Sequence, residues 1–268
     1  MGRIVHLSDL HFGRDRPGLA SALAAQVRDL APQVTVISGD LTQRALRGQY
    51  AAAARLIAAL PGAVVGIPGN HDLPLWNPLA RLAWPFAAFR RWIGPELEPM
   101  VETADLQVIG MNTADPFVWQ AGRVRRASLV RACARLKAAR PGQLQVVAMH
   151  HPLDQPPQSG KAAMTGARAA TVALAAAGAD VVLCGHLHQW AAAPYAIEEN
   201  GRRMLCVQAG TTLSTRLRGE ENDFNVIDWQ AGTVTVTRWA APGNAQHFAP
   251  AQRFVFHQPE VAAGWQAQ

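Results

Sequence analysis

An α/β fold follows from three observations on the 268 residues of this chain. Short apolar runs alternate with longer stretches of helical character. The runs are mostly apolar, as strands are when both their faces are covered. Polar clusters of Asp, Asn and His follow directly on five of them. The expected strands are 4–8, 34–38, 63–67, 106–110, 144–148 and 181–184, and the expected helices 19–30, 49–60, 128–140 and 168–177. Ser128 stands where it could cap its helix, and Pro141-Gly142 would end it. Beyond residue 203 the pattern changes to 203–208, 224–228, 233–239 and 253–256, which read as antiparallel strands joined by Gly-rich turns. No internal repeat or low-complexity linker divides the chain, and 1–268 is expected to form one domain.

Composition narrows the class. Hydrophobic residues make up 49% and charged residues 16%, enough to bury a sizeable core and too apolar for global disorder. The net charge of +6 permits an anionic partner. Only Lys137 and Lys161 are lysines, however, and the arginines are scattered apart from Arg123, Arg125, Arg126 and the pair Arg90-Arg91. A nucleic-acid partner is therefore not expected. Cys133, Cys184 and Cys206 form no CxxC and no disulfide framework, which fits a reducing compartment, the cytoplasm. No targeting segment is visible and no apolar run is long enough for a transmembrane span.

Five segments carry the chemistry: Asp9-Leu10-His11, Gly39-Asp40, Gly69-Asn70-His71-Asp72, His150-His151-Pro152 and Gly185-His186-Leu187-His188. Each follows an expected strand. In open α/β sheets ligands bind beyond the carboxyl ends of the strands, so the five clusters should meet in one cleft. Oxygen and imidazole donors without thiolate suit Mn, Fe, Zn or Co, and two such ions side by side suit phosphoryl chemistry. Residues at i and i+2 of extended or turning backbone point the same way, so Asp9 and His11 can reach one ion. Gly39 and Gly185 allow unusual backbone angles and close approach to an ion. Asp40 offers two oxygens, the natural bridge between metals.

The ordered set DLH, GD, GNHD, HHP and GHLH resembles the signature blocks of the calcineurin-like metallophosphoesterase superfamily, in that family's order across positions 9 to 188. The resemblance implies a four-layer α-β-β-α sandwich of two mixed sheets, with the strands of 203–257 completing the second sheet. It implies one metal on Asp9, His11, Asp40 and His188, and a second on Asp40, Asn70, His150 and His186. His71 would act on substrate, Asp72 would orient its surroundings, and His150 rather than His151 would be the ligand of the HHP block. Gln43 stands where many members carry Asp, away from the direct ligands. The implied reaction is hydrolysis by a hydroxide held between two divalent ions, attacking phosphorus in line.

Singly, each segment reads more plainly as a turn or a surface histidine. Five together at strand ends do not. His6 is expected to be satisfied within the first strand, His247 and His257 to lie at the surface, and Ser8 and Ser38 to be hydrogen-bonders of the loops. The segment 75–93, with Trp76, Trp84, Phe86, Phe89 and Trp92, reads as an amphipathic helix broken near Pro85 and packed on the core. Its alternative is a cap or a subunit contact in a homodimer, with Arg81, Arg90 and Arg91 near an anionic substrate.

The Gly39-Asp40-Leu41-Thr42 form of the second block, the final strands and the stretch 210–219 are most similar to the bacterial class III cyclic nucleotide phosphodiesterases and related glycerophosphodiesterases. The expected enzyme is thus a metal-dependent phosphodiesterase for small diesters, cyclic AMP or glycerophosphodiesters. Alternatives are a lipid-linked nucleotide pyrophosphatase, a nuclease, or a non-catalytic metal-stabilised scaffold.

Overall fold

The computed structural model describes residues 2–155, 159–196, 203–230, 232–258 and 264–267. In chain order the elements are β1 (Gly2–Leu7), α1 (Leu19–Leu30), β2 (Val34–Ile37), α2 (Arg47–Ala59), β3 (Ala63–Gly66), a single 3-10 turn (Asn70–Asp72), α3 (Pro78–Ala83), α4 (Ala87–Trp92), β4 (Met100–Glu102) and β5 (Leu106–Met111). They continue as α5 (Arg126–Lys137), β6 (Leu144–Met149), α6 (Ala167–Ala177), β7 (Val181–Cys184), β8 (Ala191–Ala196), β9 (Arg203–Gln208), β10 (Asn222–Gln230), β11 (Thr233–Ala241), β12 (Ala249–His257) and β13 (Gln266–Ala267).

Two sheets result, ordered β13-β12-β11-β10-β1-β2-β3 and β4-β5-β6-β7-β9-β8. Both are mixed: β1, β2 and β3 run parallel and β10 antiparallel to β1, while β5, β6, β7 and β9 run parallel with antiparallel β4 and β8 at the edges. The period of two along each strand sorts its apolar side chains onto two faces. Ile4, Val36 and Val65 meet Val108, Val146, Leu183 and Val207 between the sheets. Val5, Leu7 and Ile37 face α1 and α2 through Leu23, Val27 and Leu56, and Ile109, Val147 and Val182 face α5 and α6 through Leu136 and Leu174. The architecture is the four-layer α-β-β-α sandwich, with each such buried side chain contributing roughly 1.5–3 kcal/mol.

Several expectations are corrected. The segment 203–208 is β9, which pairs parallel with β7, because the antiparallel return between them is β8. The strands within 203–257 therefore divide: β9 extends the second sheet, while β10, β11 and β12 extend the first. Edge strand β8 escapes sequence reading because alanine and Pro194 give it little strand character, and an edge tolerates proline. Ser128 is not a cap; α5 starts after Arg125, which makes no side-chain capping bond, and Ser128 is buried within the first turn. The segment 75–93 holds two short helices, α3 and α4, separated at Trp84-Pro85-Phe86. Phe86 and Phe89 are buried, yet Trp76, Leu79, Leu82 and Trp84 are exposed, so only the second half packs on the core.

Candidate metal centre

The five polar clusters come from both sheets, three beyond β1, β2 and β3 and two beyond β6 and β7, and they meet at one edge of the sandwich. The loops are laced together: Asp9 N donates to Gly39 O (3.1 Å), His11 N to Asp40 O (2.9 Å) and Gly185 N to His150 O (3.1 Å). Among the described residues seven non-glycine residues have positive φ, and five of them are Asp9 (53°), His11 (47°), Asp40 (51°), His186 (72°) and His188 (56°). Left-handed backbone costs an L-residue about 1 kcal/mol or more, so local strain is concentrated on the candidate ligands themselves. The glycines serve closeness as well as turning. A Cβ on Gly39 (φ +96°) would lie 2.7 Å from His150 Nδ1, and one on Gly185 would collide with Ser8 Oγ and Asp9 Oδ2.

Donor atoms converge in overlapping groups. The ligand atoms of Asp9, His11 and His188, and those of Asp9, Asp40 and His150, lie within 4.8 Å of one another. His11 Nε2 is 3.1 Å from His188 Nε2 and 3.4 Å from Asp9 Oδ1, while His188 Nε2 is 3.1 Å from Asp9 Oδ1. Asp40 Oδ2 stands between the two halves, 3.7 Å from His11 Nε2 and 3.3 Å from His150 Nε2. Asn70 Oδ1 is 3.3 Å from the same His150 nitrogen. The His186 ring lies 5.1 Å from that of His150.

The groups behind these atoms decide which nitrogen points inward. His150 Nδ1 donates to Ser38 O (2.8 Å) and His188 Nδ1 to Arg216 O (2.9 Å), leaving each Nε2 for the centre. His151 spends both ring nitrogens, on Thr113 Oγ1 (2.8 Å) and Gln120 O (3.0 Å), although its ring is near His150 and His186. Asp9 Oδ2 accepts from Ser8 Oγ (2.7 Å) and His186 N (2.9 Å). Asp72 accepts from Leu41 N, Thr42 N, Thr42 Oγ1 and Gly69 N, clamping the second block to the third without touching a histidine ring. His6, between the sheets, is met by Ser38 Oγ (2.8 Å) and Asn225 Nδ2 (3.3 Å), and His247 and His257 are exposed.

Electrostatics point the same way. Burial alone would raise the Asp9 and Asp40 carboxyls, but the surrounding His188, His11, His150 and His71 rings hold both well below the usual carboxylate range. Burial lowers His11 to about 4 and His186 well below its ordinary value, so both are neutral imidazoles. For His150 the pull of Asp40 overcomes burial and lifts the ring to about 9. The carboxylate charge that draws a proton there would equally attract a divalent cation. Asp9 Oδ1 and His186 Nε2 are buried and make no hydrogen bond among the described residues, which is costly unless another partner satisfies them. These residues fit a pair of divalent ions.

His71 stands at the mouth. Its Nδ1 donates to Gln43 O (2.8 Å), a backbone carbonyl that any side chain at that position would supply, and its N–H donates to Asp40 Oδ1 (2.8 Å). Its ligand nitrogen also falls in a group with His11 and Asp40. Arg216 Nη1 reaches His71 Nε2 at 3.5 Å, and Lys161 Nζ bonds His186 O. Lys161 was missed as a site residue, because no spacing marks it; the available signal was its place in the loop between β6 and α6. The stretch 210–219 proves to be a support: Thr211 Oγ1 donates to Asp9 O (2.7 Å) and Thr212 Oγ1 accepts from Ser8 N (3.1 Å). Arg81 is not at the cleft. It is buried, with Nε donating to Pro116 O (2.9 Å) and Nη2 to Val118 O (3.0 Å), while Arg90 donates to Pro95 O (3.3 Å).

Solved structures share this fold. A purple acid phosphatase from yellow lupin (Lupinus luteus) superposes with a TM-score of 0.73 at 12% identity, over 98% of this chain and 55% of that one, so this chain spans about half the length of that relative. A dimetal phosphatase from Danio rerio superposes at 0.63 with 12% identity, over 93% of this chain and 98% of the other. GAP50 of Plasmodium superposes at 0.58 with 12% identity, over 94% and 88%. No curated protein matches this chain in sequence. The profile of the calcineurin-like phosphoesterases matches residues 2–190, from the first strand through the last histidine of the cluster, and the chain belongs to that family.

Proposed function

We propose that this protein is a di-metal phosphodiesterase for small phosphodiesters, cyclic nucleotides first and glycerophosphodiesters next. Asp9, His11, Asp40 and His188 hold one ion, and Asp40, Asn70, His150 and His186 the other. The observation that carries the reading is the position of Asp40 Oδ2, between His11 Nε2 at 3.7 Å and His150 Nε2 at 3.3 Å. A pair of divalent ions there supplies Lewis acidity, bringing a water's pKa toward neutrality and taking up charge on the phosphoryl oxygens.

The chain's own groups do the rest. Asp40 orients His71 through the His71 backbone N–H, and Gln43 O holds the proton on His71 Nδ1. Nε2 faces the cleft beside Arg216 Nη1, and a proton carried there would be donated to a phosphoryl oxygen or passed to the leaving oxygen. Arg216 and Lys161 place positive charge at the mouth, where an anionic diester enters. The diester class is supported by the Asp40-Leu41-Thr42 form of the second block and the C-terminal strands.

Metal content measured by elemental analysis, combined with a panel of cyclic AMP, glycerophosphodiesters, a chromogenic diester and a matching monoester in Mn²⁺, tests this. Diester turnover with bound metal is expected. Turnover confined to monoesters refutes the diesterase, and metal without hydrolysis of any ester refutes the enzyme.

A further inference from the structure

Eleven large apolar side chains are exposed among the described residues, and six of them lie on two short segments. Trp76 (69% exposed), Leu79 (79%), Leu82 (54%) and Trp84 (69%) lie on or beside α3, and Phe117 (75%) and Trp119 (60%) lie after β5. Buried Arg81 makes one surface of them, bonding Pro116 O and Val118 O with its guanidinium 4.8 Å from the centre of the Trp119 ring. The helix is deliberately built: Asn77 Oδ1 accepts from Ala80 N (2.9 Å), and Pro78 occupies its first turn. Its Leu79 and Leu82, three apart, share a face that looks outward. Six exposed large apolar side chains on two segments joined through Arg81 mark an interaction surface.

The charge around the patch identifies the partner. Arg44 lies 5.0 Å over Trp76. Leu82 and Phe117 also wall a cavity of about 660 Å³ into which four arginines project, Arg90, Arg125, Arg131 and Arg135, against Glu96 and Glu98. Arg131 is paired with Glu98, whereas Arg90 and Arg125 bond the carbonyls of Pro95 and Ala114 and form no ion pair among the described residues. With four arginines against two glutamates the lining is net positive, and a two-fold contact centred on it would set net positive charge against net positive charge. An anionic partner that is apolar beneath its charged surface satisfies both halves of the patch. No described helix is long and apolar enough to cross a membrane, so the contact is with its face.

We propose that this face docks on an anionic lipid bilayer, with Leu79, Leu82, Trp84 and Phe117 entering the headgroup boundary and Arg90 and Arg125 taking lipid phosphates. The inference is independent of the diesterase reading and is tested without substrate. Intact protein is sedimented with phosphatidylcholine vesicles and with vesicles that also contain phosphatidylglycerol. Binding to the anionic vesicles that weakens with salt is expected. Leu79→Ser/Leu82→Ser should lower partitioning by roughly tenfold or more, and Arg90→Gln by about fivefold. Both variants should keep the wild-type circular dichroism. Failure to bind anionic vesicles, equal binding to neutral ones, or unchanged binding by both variants overturns the proposal. A dimer in sedimentation velocity that Leu79→Ser/Leu82→Ser dissociates, without vesicle binding, assigns the face to a second copy and also overturns it.

Discussion

The loops beyond β1, β2, β6 and β7 and the segment around α3 are built on opposite terms. In the loops, polar groups are buried: Asp9, His11 and His150 are fully shielded and their backbones strained or laced, while Asp9 Oδ1, His11 Nδ1 and His186 Nε2 are left without a hydrogen bond among the described residues. Around α3, apolar groups are exposed on relaxed, capped backbone. Each region departs from what folding alone favours, in opposite directions, and each is anchored from behind, by Asp72 and Thr211 in one case and Arg81 in the other. Departures held in place this firmly point to interactions with something outside the chain.

The sharpest test of the contrast is Asp40→Ala. It should lower turnover by roughly a thousandfold or more and leave the chain short of its full metal complement by elemental analysis; preserved turnover would overturn the assignment of the bridge. His71→Gln separates chemistry from metal loading. It should lower kcat about a hundredfold while metal content stays at the wild-type level, and a parallel loss of metal would make His71 a ligand. Arg81→Ala breaks the other region. It leaves the carbonyls of Pro116 and Val118 without their donor, at about 2 kcal/mol, read as a lower urea midpoint with kcat on a soluble diester unchanged. The smallest effect belongs to Lys161. Burial, reinforced by Arg218 and Arg216, lowers its ammonium to about 8, so it is charged below that pH and neutral above it. KM for an anionic diester should therefore rise as pH passes through 8 in the wild type. In Lys161→Gln, KM should be roughly threefold higher at pH 7 and the rise should vanish.

Much of the site was legible in the chain because its donors come in short blocks, each joined to the end of an apolar strand. A block such as Asp9-Leu10-His11 announces itself locally, and so does the strand before it. The selection of His150 over His151 rested on resemblance; in the structure both His151 nitrogens have hydrogen-bond partners, Thr113 Oγ1 and Gln120 O, and the His151 ring also groups with His150 and His186. Lys161 was beyond local reading, a single residue in an irregular loop that no periodic pattern marks. Arg216 lay within the stretch 210–219 that the resemblance singled out, but its place beside His71 was not legible there. The parallel pairing of β9 was hidden for a related reason: a short, mostly buried strand looks the same whichever way its neighbour runs, and only the position of β8 decides.

By itself the amino-acid sequence determined that strands and helices alternate, that the core is large, and that five clusters of oxygen and imidazole donors stand at strand ends. These are matters of local pattern and residue chemistry. Tertiary structure alone decided that the clusters come from two facing sheets, that Asp40 stands between His11 and His150, and that Arg81 is spent on carbonyls rather than left for a ligand. The reason is physical: which donor faces which depends on contacts such as that of His11 with His188, 177 positions apart, set by how the sheets pack and not by any spacing along the chain.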